Sequence, residues 1–243
     1  MTQIIALYGV NAKEFMRDRT PVVLVLALPV VLAIFFGLVF GGDGGDATLN
    51  LFMPGMLGVA LLWLGLFGTA LPLLQQRAGQ VLRRLSLTPL RPVTMLAAQV
   101  SWRVTVGLLQ AALFVLAGYL AFRVGVQGNK LLFVGAVLAG SLVFVSMGYL
   151  LAGLARSEES LMVLVQIVNF PLMMLSGGLL PVETLPSFFR PLAVLSPLTY
   201  LTDALQQLMA SAPPLHPLGL DFAVLGGWLV VLFGLAVKFW RWE

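Results

Sequence analysis

Hydrophobic positions in this chain fall into long, unbroken runs separated by charges. No charged residue interrupts the runs between Arg19 and Asp43, Asp46 and Arg77, Arg103 and Arg123, Lys130 and Arg156, Glu159 and Glu183, or Asp221 and Lys238. A helix crosses about 30 Å of hydrocarbon with roughly 20 mostly apolar residues. A charge at mid-bilayer costs about 2.5–3.5 kcal/mol on insertion scales, so charges mark the ends of spans. The pattern predicts a single all-α transmembrane domain with six spans, over about 20–42, 50–75, 93–122, 131–155, 160–180 and 221–240. The stretch from Ala204 to Leu220 is also uncharged, but Pro213, Pro214 and Pro217 break it. Runs such as Leu131 to Ala155 are apolar throughout, without the every-second-residue alternation of a transmembrane β-strand. The first run is read as a retained span, being too long for a signal-peptide core and lacking a small-residue cleavage site.

Three segments between spans carry further patterning. Over residues 2–17, Ile4, Ile5, Tyr8, Ala12 and Phe15 recur at helical spacing opposite Gln3, Asn11 and Glu14, which predicts an amphipathic helix lying at the membrane interface. Residues 76–90 predict a short helix stopped by Pro89, with Val81, Leu82 and Leu85 forming an apolar stripe. Burial of that stripe against a partner protein and its resting on lipid headgroups are both open. The segment 181–210 is divided by Pro181, Pro186, Pro191 and Pro197 and is too apolar for an ordinary loop. Leu198, Leu201, Leu205 and Leu208 make a helical stripe there, with Asp203 and Gln207 off it. A helical hairpin re-entering the outer leaflet explains this, as does a pair of helices lying on the bilayer.

Charge gives an orientation. With the N-terminus inside, Lys13, Arg17, Arg19, Arg77, Arg83, Arg84, Arg91, Arg156, Lys238 and Arg241 are cytoplasmic, and only Arg123, Lys130 and Arg190 lie outside. This positive-inside bias predicts cytoplasmic termini. Of the 243 residues, 60% are hydrophobic and 10% charged, with a net charge of +4. The basic excess reads as a topology signal, so no nucleic-acid partner is expected. Cysteine is absent and His216 is the single histidine, so thiol chemistry and a multi-histidine metal site are excluded and no metal ligand set is expected.

The order of these features resembles the permease subunit of type-2 ABC transporters. The sharpest correspondence is Ser176-Gly177-Gly178 with Pro181, Leu185-Pro186, then Leu195-Ser196-Pro197-Leu198-Thr199-Tyr200 and Asp203-Ala204-Leu205. The set Arg77, Gly79, Leu82, Leu85 and Thr88-Pro89, with Arg83 and Arg84, resembles that family's coupling helix. It departs at Gln75 and Gln76, where family members often carry acidic residues. The resemblance implies an exporter of an amphipathic drug-like or lipid-like molecule in the plasma (inner) membrane. It also implies two cytosolic ATPase subunits that hold ATP and Mg, no cofactor on this chain, and a second permease chain, identical or different. The absence of a G-x-x-x-x-G-K-[ST] loop agrees with hydrolysis elsewhere. Leu175-Ser176-Gly177-Gly178 is like the start of an ATPase-subunit signature, but its glycines are expected to end the fifth span.

No catalytic residues are expected. In the fifth span Gln166, Asn169, Met173 and Ser176 share one helical face, and the second span offers Trp63 and Phe67. Polar groups in lipid need partners or water. Trp63, Phe67, Gln166, Asn169 and Met173 are therefore candidates for lining a substrate path, with interhelical packing as the other reading. A secondary transporter or channel usually keeps an ionisable residue deep in a span, and the span centres here are uncharged.

Overall fold

The computed structural model describes residues 2–17, 22–40, 45–78, 92–178, 186–210 and 214–239. All regular elements among them are helical. In chain order they are α1 (Thr2–Arg17), a π-helical turn (Val23–Ala27) running into α2 (Leu28–Phe40), and α3 (Gly45–Gly65). A second π-helical turn (Leu66–Ala70) continues into α4 (Leu71–Ala78). Then follow α5 (Pro92–Phe122), α6 (Lys130–Leu154), α7 (Glu158–Leu175), the single turn α8 (Arg190–Ala193), α9 (Pro197–Met209) and α10 (Leu218–Lys238).

Among the described residues, five helices are long and apolar enough to cross a membrane: Leu49–Gln76, Ala97–Phe122, Lys130–Leu154, Glu158–Leu175 and Leu218–Lys238. They coincide with the expected second to sixth spans. The expected first span, 20–42, is represented by Val25–Val39, an apolar helix shorter than a full crossing. Two boundaries differ from expectation. The fifth span stops at Leu175 rather than near 180, because Gly177 takes φ 72° and turns the chain out of the helix. The sixth begins at Leu218, directly after Pro217, rather than at Asp221, which lies inside its first turn.

The core is built around α3. In the span containing it 78% of the apolar window is buried, against 22% for α7 and for α10. The helix α6 packs against α3, α5, α9 and α10. The approach of α6 to α3 is set by glycine: a side chain on Gly65 would collide with the Phe144 carbonyl, and one on Gly148 with the Gly65 carbonyl. Such close backbone contact, rather than hydrophobic drive, is how helices associate in lipid. A Cβ on Gly135 would lie 3.6 Å from the Phe222 ring, and one on Gly153 2.9 Å from the Phe239 carbonyl. Thus α6 and α10 run side by side in the same direction.

Prolines shape two entries to the core. Pro29 has no N–H to return to the Val25 carbonyl four residues back, and the buried Gln110 of α5 donates its Nε2 to that carbonyl at 2.6 Å. Pro72 follows the second π-helical turn, where Thr69 Oγ1 donates to Leu64 O at 3.1 Å. Helices end cleanly where side chains cap them. Asn129 Oδ1 accepts from Leu131 N at 2.8 Å and Leu132 N at 3.3 Å, opening α6, and Ser157 and Ser160 form a reciprocal capping box at α7.

The amphipathic helix expected over 2–17 is α1, and it packs on α5. Tyr8 and Phe15 meet Trp102 edge-on, with ring centroids 5.3 and 5.7 Å apart. The side chains of Ile4 and Ile5 lie outside the described residues.

Candidate functional site

Three polar arrangements sit where spans meet. The first joins the two spans expected to line a path. Trp63 of α3 donates its Nε1 to Asn169 Oδ1 of α7 at 3.1 Å. Asn169 Nδ2 in turn reaches Gln166 Oε1 at 3.5 Å. Asn169 is buried, whereas Gln166 is exposed. A buried amide would otherwise cost several kcal/mol at membrane depth, roughly 1–3 by protein mutational measures, and the indole N–H supplies its partner. Phe67, on the second π-helical turn, and Met173 are half-buried and pack against the same core. The structure therefore brings Trp63, Asn169 and Gln166 into one chain of contacts and leaves Phe67 and Met173 as apolar neighbours of the core.

Gln166 has a telling setting. Val163, Ile167 and Phe170 are each about 60% exposed, and together with Gln166 they occupy positions i, i+3, i+4 and i+7 of one face of α7. One polar group sits within an otherwise apolar, unpartnered face.

The second arrangement lies near the C-terminal end of α4. Tyr149 of α6 donates its hydroxyl to Gln99 Oε1 of α5 at 3.0 Å, and Gln99 Nε2 donates to Gln76 Oε1 of α4 at 3.2 Å. The neutral Gln76, the departure noted in the coupling segment, thus ties the start of that segment to two spans. The rest of the segment, with Gly79, Leu82, Arg83, Arg84, Leu85, Thr88 and Pro89, lies outside the described residues, as does the Arg77 side chain.

The third is the segment from Ser176 to Asp221, and it gives physical content to the sharpest sequence motif. Ser176 Oγ accepts from Gly178 N at 3.2 Å and donates to Met173 O at 2.9 Å. Gly178 is pressed against the Gly55 backbone of α3, so a side chain at either position would collide. Ser196 caps α9, accepting from Thr199 N at 3.4 Å, with Pro197 at the first helical position, where its missing N–H costs nothing. Thr199 Oγ1 donates to Leu175 O at 3.1 Å, tying α9 to the end of α7. Tyr200 donates to Val194 O at 2.9 Å. Gln206 Nε2 donates to Leu51 O at 3.2 Å and Gly177 O at 3.4 Å. The motif is a fastening of α9 to α3 and α7.

Consequently α9 is not a helix lying on a surface: Leu198, Leu201, Leu205 and Leu208 are all buried against α3, α6 and α10. The one-turn α8 and its flanks do present apolar side chains outward, with Phe188, Phe189, Leu192, Val194 and Leu195 exposed. Residues 181–185 of the expected hairpin lie outside the described residues.

Sequence reasoning missed one grouping, at the end of the bundle that holds α9. Asp203, His216 and Asp221 converge there, with one potential ligand atom from each within 4.8 Å of the others. The signal in the sequence is Asp203, which lies off the apolar stripe of α9 and is nevertheless only 4% exposed.

The chain is 23% identical over 198 residues to the ABC transporter G family member 20 of Dictyostelium discoideum, covering 81% of this chain and 27% of that protein. It is 24% identical over 140 residues to the probable multidrug ABC transporter permease YbhR of Escherichia coli, covering 58% of this chain and 38% of that one. To the nodulation protein J of Rhizobium leguminosarum bv. trifolii it is 27% identical over 195 residues, 77% of this chain and 73% of that protein. It therefore spans well under half the length of the first two and most of the third. A sequence model of the ABC-2 type transporter covers residues 2–210, and with five membrane-length helices in the expected order, the chain belongs to the ABC-2 type transporter family of membrane permeases.

Proposed function

We propose that this chain is the permease of an ATP-driven exporter that moves an amphipathic drug-like or lipid-like molecule across the plasma membrane. Two cytosolic ATPase subunits carry ATP and Mg, and two permease chains make the pathway. Both termini face the cytoplasm. The observation that carries the reading is the Trp63–Asn169–Gln166 chain between two spans of an ABC-2 family protein. It offers a path wall that is aromatic, weakly polar and free of fixed charge, which suits amphipathic cargo. The exposed α7 face supports a second permease chain, because Gln166 would otherwise stand in lipid. That YbhR is a probable multidrug permease supports the cargo class.

Coupling is assigned to residues 76–90, with Arg77, Arg83, Arg84 and Leu85 on the surface that meets the ATPase. The Tyr149–Gln99–Gln76 chain would carry a push on that segment into α5 and α6. The test is co-expression with candidate cytosolic ABC ATPases, purification in nanodiscs, and measurement of stoichiometry and ATPase rate. A complex of two permeases and two ATPases is expected, with Arg84→Glu/Leu85→Ala abolishing assembly or cargo-stimulated hydrolysis. A folded permease that recruits no ATPase and transports on a proton gradient would overturn the reading in favour of a secondary transporter.

A further inference from the structure

We infer that Asp203, His216 and Asp221 form a site for one divalent transition-metal cation of the zinc type, fastening α9 to the first turn of α10. Three features of the cluster point to a cation. Asp221 is 0% exposed, and its Oδ1 is buried with no hydrogen-bond partner. His216 Nδ1 is likewise buried and unpartnered, 3.6 Å from Asp203 Oδ2, a separation at which it is aimed at the carboxylate without bonding to it. All three ligand atoms lie within 4.8 Å of one another. Two buried carboxylates this close repel one another unless a positive charge is shared between them. An orphaned oxygen within that pair and an orphaned nitrogen beside it are what a missing ligand leaves behind.

The surroundings are those of a held site. Asp203 Oδ1 accepts from Leu215 N at 3.0 Å and Asp203 Oδ2 from His216 N at 2.7 Å. Gln207 Nε2 donates to both Asp221 Oδ2 at 3.1 Å and His216 O at 3.0 Å. The His216 ring lies against Tyr200, with centroids 5.0 Å apart and planes 31° from parallel. Both carboxylates thus have hydrogen-bonded orienting partners, as the outer shell of a metal site requires, and the imidazole is held by its ring contact. The His216 side chain is 22% exposed, which leaves a way in.

Donor chemistry selects the ion. One imidazole and two carboxylates suit zinc-type cations, whereas calcium and magnesium favour six or more oxygens. Tetrahedral ligands at about 2.0–2.1 Å stand about 3.3 Å apart. The His216–Asp203 pair is already near that, and the widest pair must close by roughly 1.5 Å, within reach of side-chain rotation at Asp221. Three protein ligands leave the fourth position open for water.

The test uses the full chain, without a histidine tag, in lipid nanodiscs. Co²⁺ is titrated by visible absorption and then displaced with Zn²⁺. The expected result is one Co²⁺ per chain, with the intense ligand-field bands of a low-coordinate ion, and loss on adding Zn²⁺. His216→Phe keeps the ring against Tyr200 and removes the nitrogen. Asp221→Asn keeps the Gln207 contact and removes the charge. Each should weaken Co²⁺ binding tenfold or more. Circular dichroism and size-exclusion profiles check that both are folded, and His216→Phe, on a partly exposed side chain, decides the matter alone if Asp221→Asn is not. Absence of stoichiometric binding in the parent chain would overturn the inference and leave the cluster held by a proton. Binding that neither variant weakens would overturn it as adventitious.

Discussion

The Trp63–Asn169 hydrogen bond can be weighed by a double-mutant cycle. Trp63→Phe removes the indole donor and part of the ring, leaving Asn169 Oδ1 buried without its 3.1 Å partner. Asn169→Leu keeps the branched four-heavy-atom shape, with bulkier methyl groups, and removes the acceptor, leaving the indole N–H unpaired. Each single change strands one polar atom, the buried Asn169 Oδ1 or the half-buried indole N–H, and stranding a buried one costs about 1–3 kcal/mol in protein interiors. The double variant strands neither. Interhelical bonds in bilayers average about 0.6 kcal/mol with a maximum near 1.7. The partly exposed indole and the weak 3.5 Å second contact to Gln166 place this one in the middle, so a coupling of about 1 kcal/mol is expected. The assay is reversible unfolding in bicelles with added SDS, followed by far-ultraviolet circular dichroism so that loss of a tryptophan does not alter the signal. Gln166→Leu serves as the contrast: it should leave the stability of the single chain nearly unchanged while altering association between chains. Additivity of Trp63→Phe and Asn169→Leu within about 0.3–0.5 kcal/mol would refute the coupling, and with it the claim that this pair ties α3 to α7.

Two other predictions test the packing and the motif. Gly148→Val forces a side chain into the Gly65 carbonyl and should destabilise the chain by about 3 kcal/mol, the upper end for overpacking. Gly226→Ala, with nothing within 4 Å of the added methyl, should instead stabilise α10 by up to about 1 kcal/mol; thermal unfolding of both in nanodiscs reads the opposite signs. Ser196→Ala removes the cap of α9 and should cost about 1 kcal/mol, detectable in the same assay and largely restored by Asp at that position.

What was legible from the sequence was legible for one physical reason: charge is expensive in hydrocarbon, so long charge-free runs have few alternatives to being spans. The centres of five helices, the amphipathic α1 and the stripe of α9 follow from that and from helical periodicity. The polar face on the fifth span demanded a partner or water, but that Trp63 meets Asn169 was not legible. The distances could not be foreseen, because nothing local specifies which helix lies beside which. Span ends were less legible, since they are fixed by backbone devices rather than by hydropathy. Gly177 stops α7 while the chain is still apolar, and Pro217 starts α10 before its first charge.

Asp221 shows where the charge rule breaks. Treated as punctuation, it marks the outside of a span. In the structure it is inside the first turn of α10, wholly buried, with Gln207 donating to one oxygen. The rule assumes that a charge must reach water, but a carboxylate at a helix N-terminus is favoured by the helix dipole and can be retained if a donor or cation meets it. His216 lies within residues 204–220, the stretch whose prolines disqualify it as a span, and it meets Asp203 and Asp221 there. A segment rejected for crossing the membrane is therefore the one to search for chemistry: it departs from the helical pattern where the chain must return to the core, and polar atoms there find partners that no local periodicity announces.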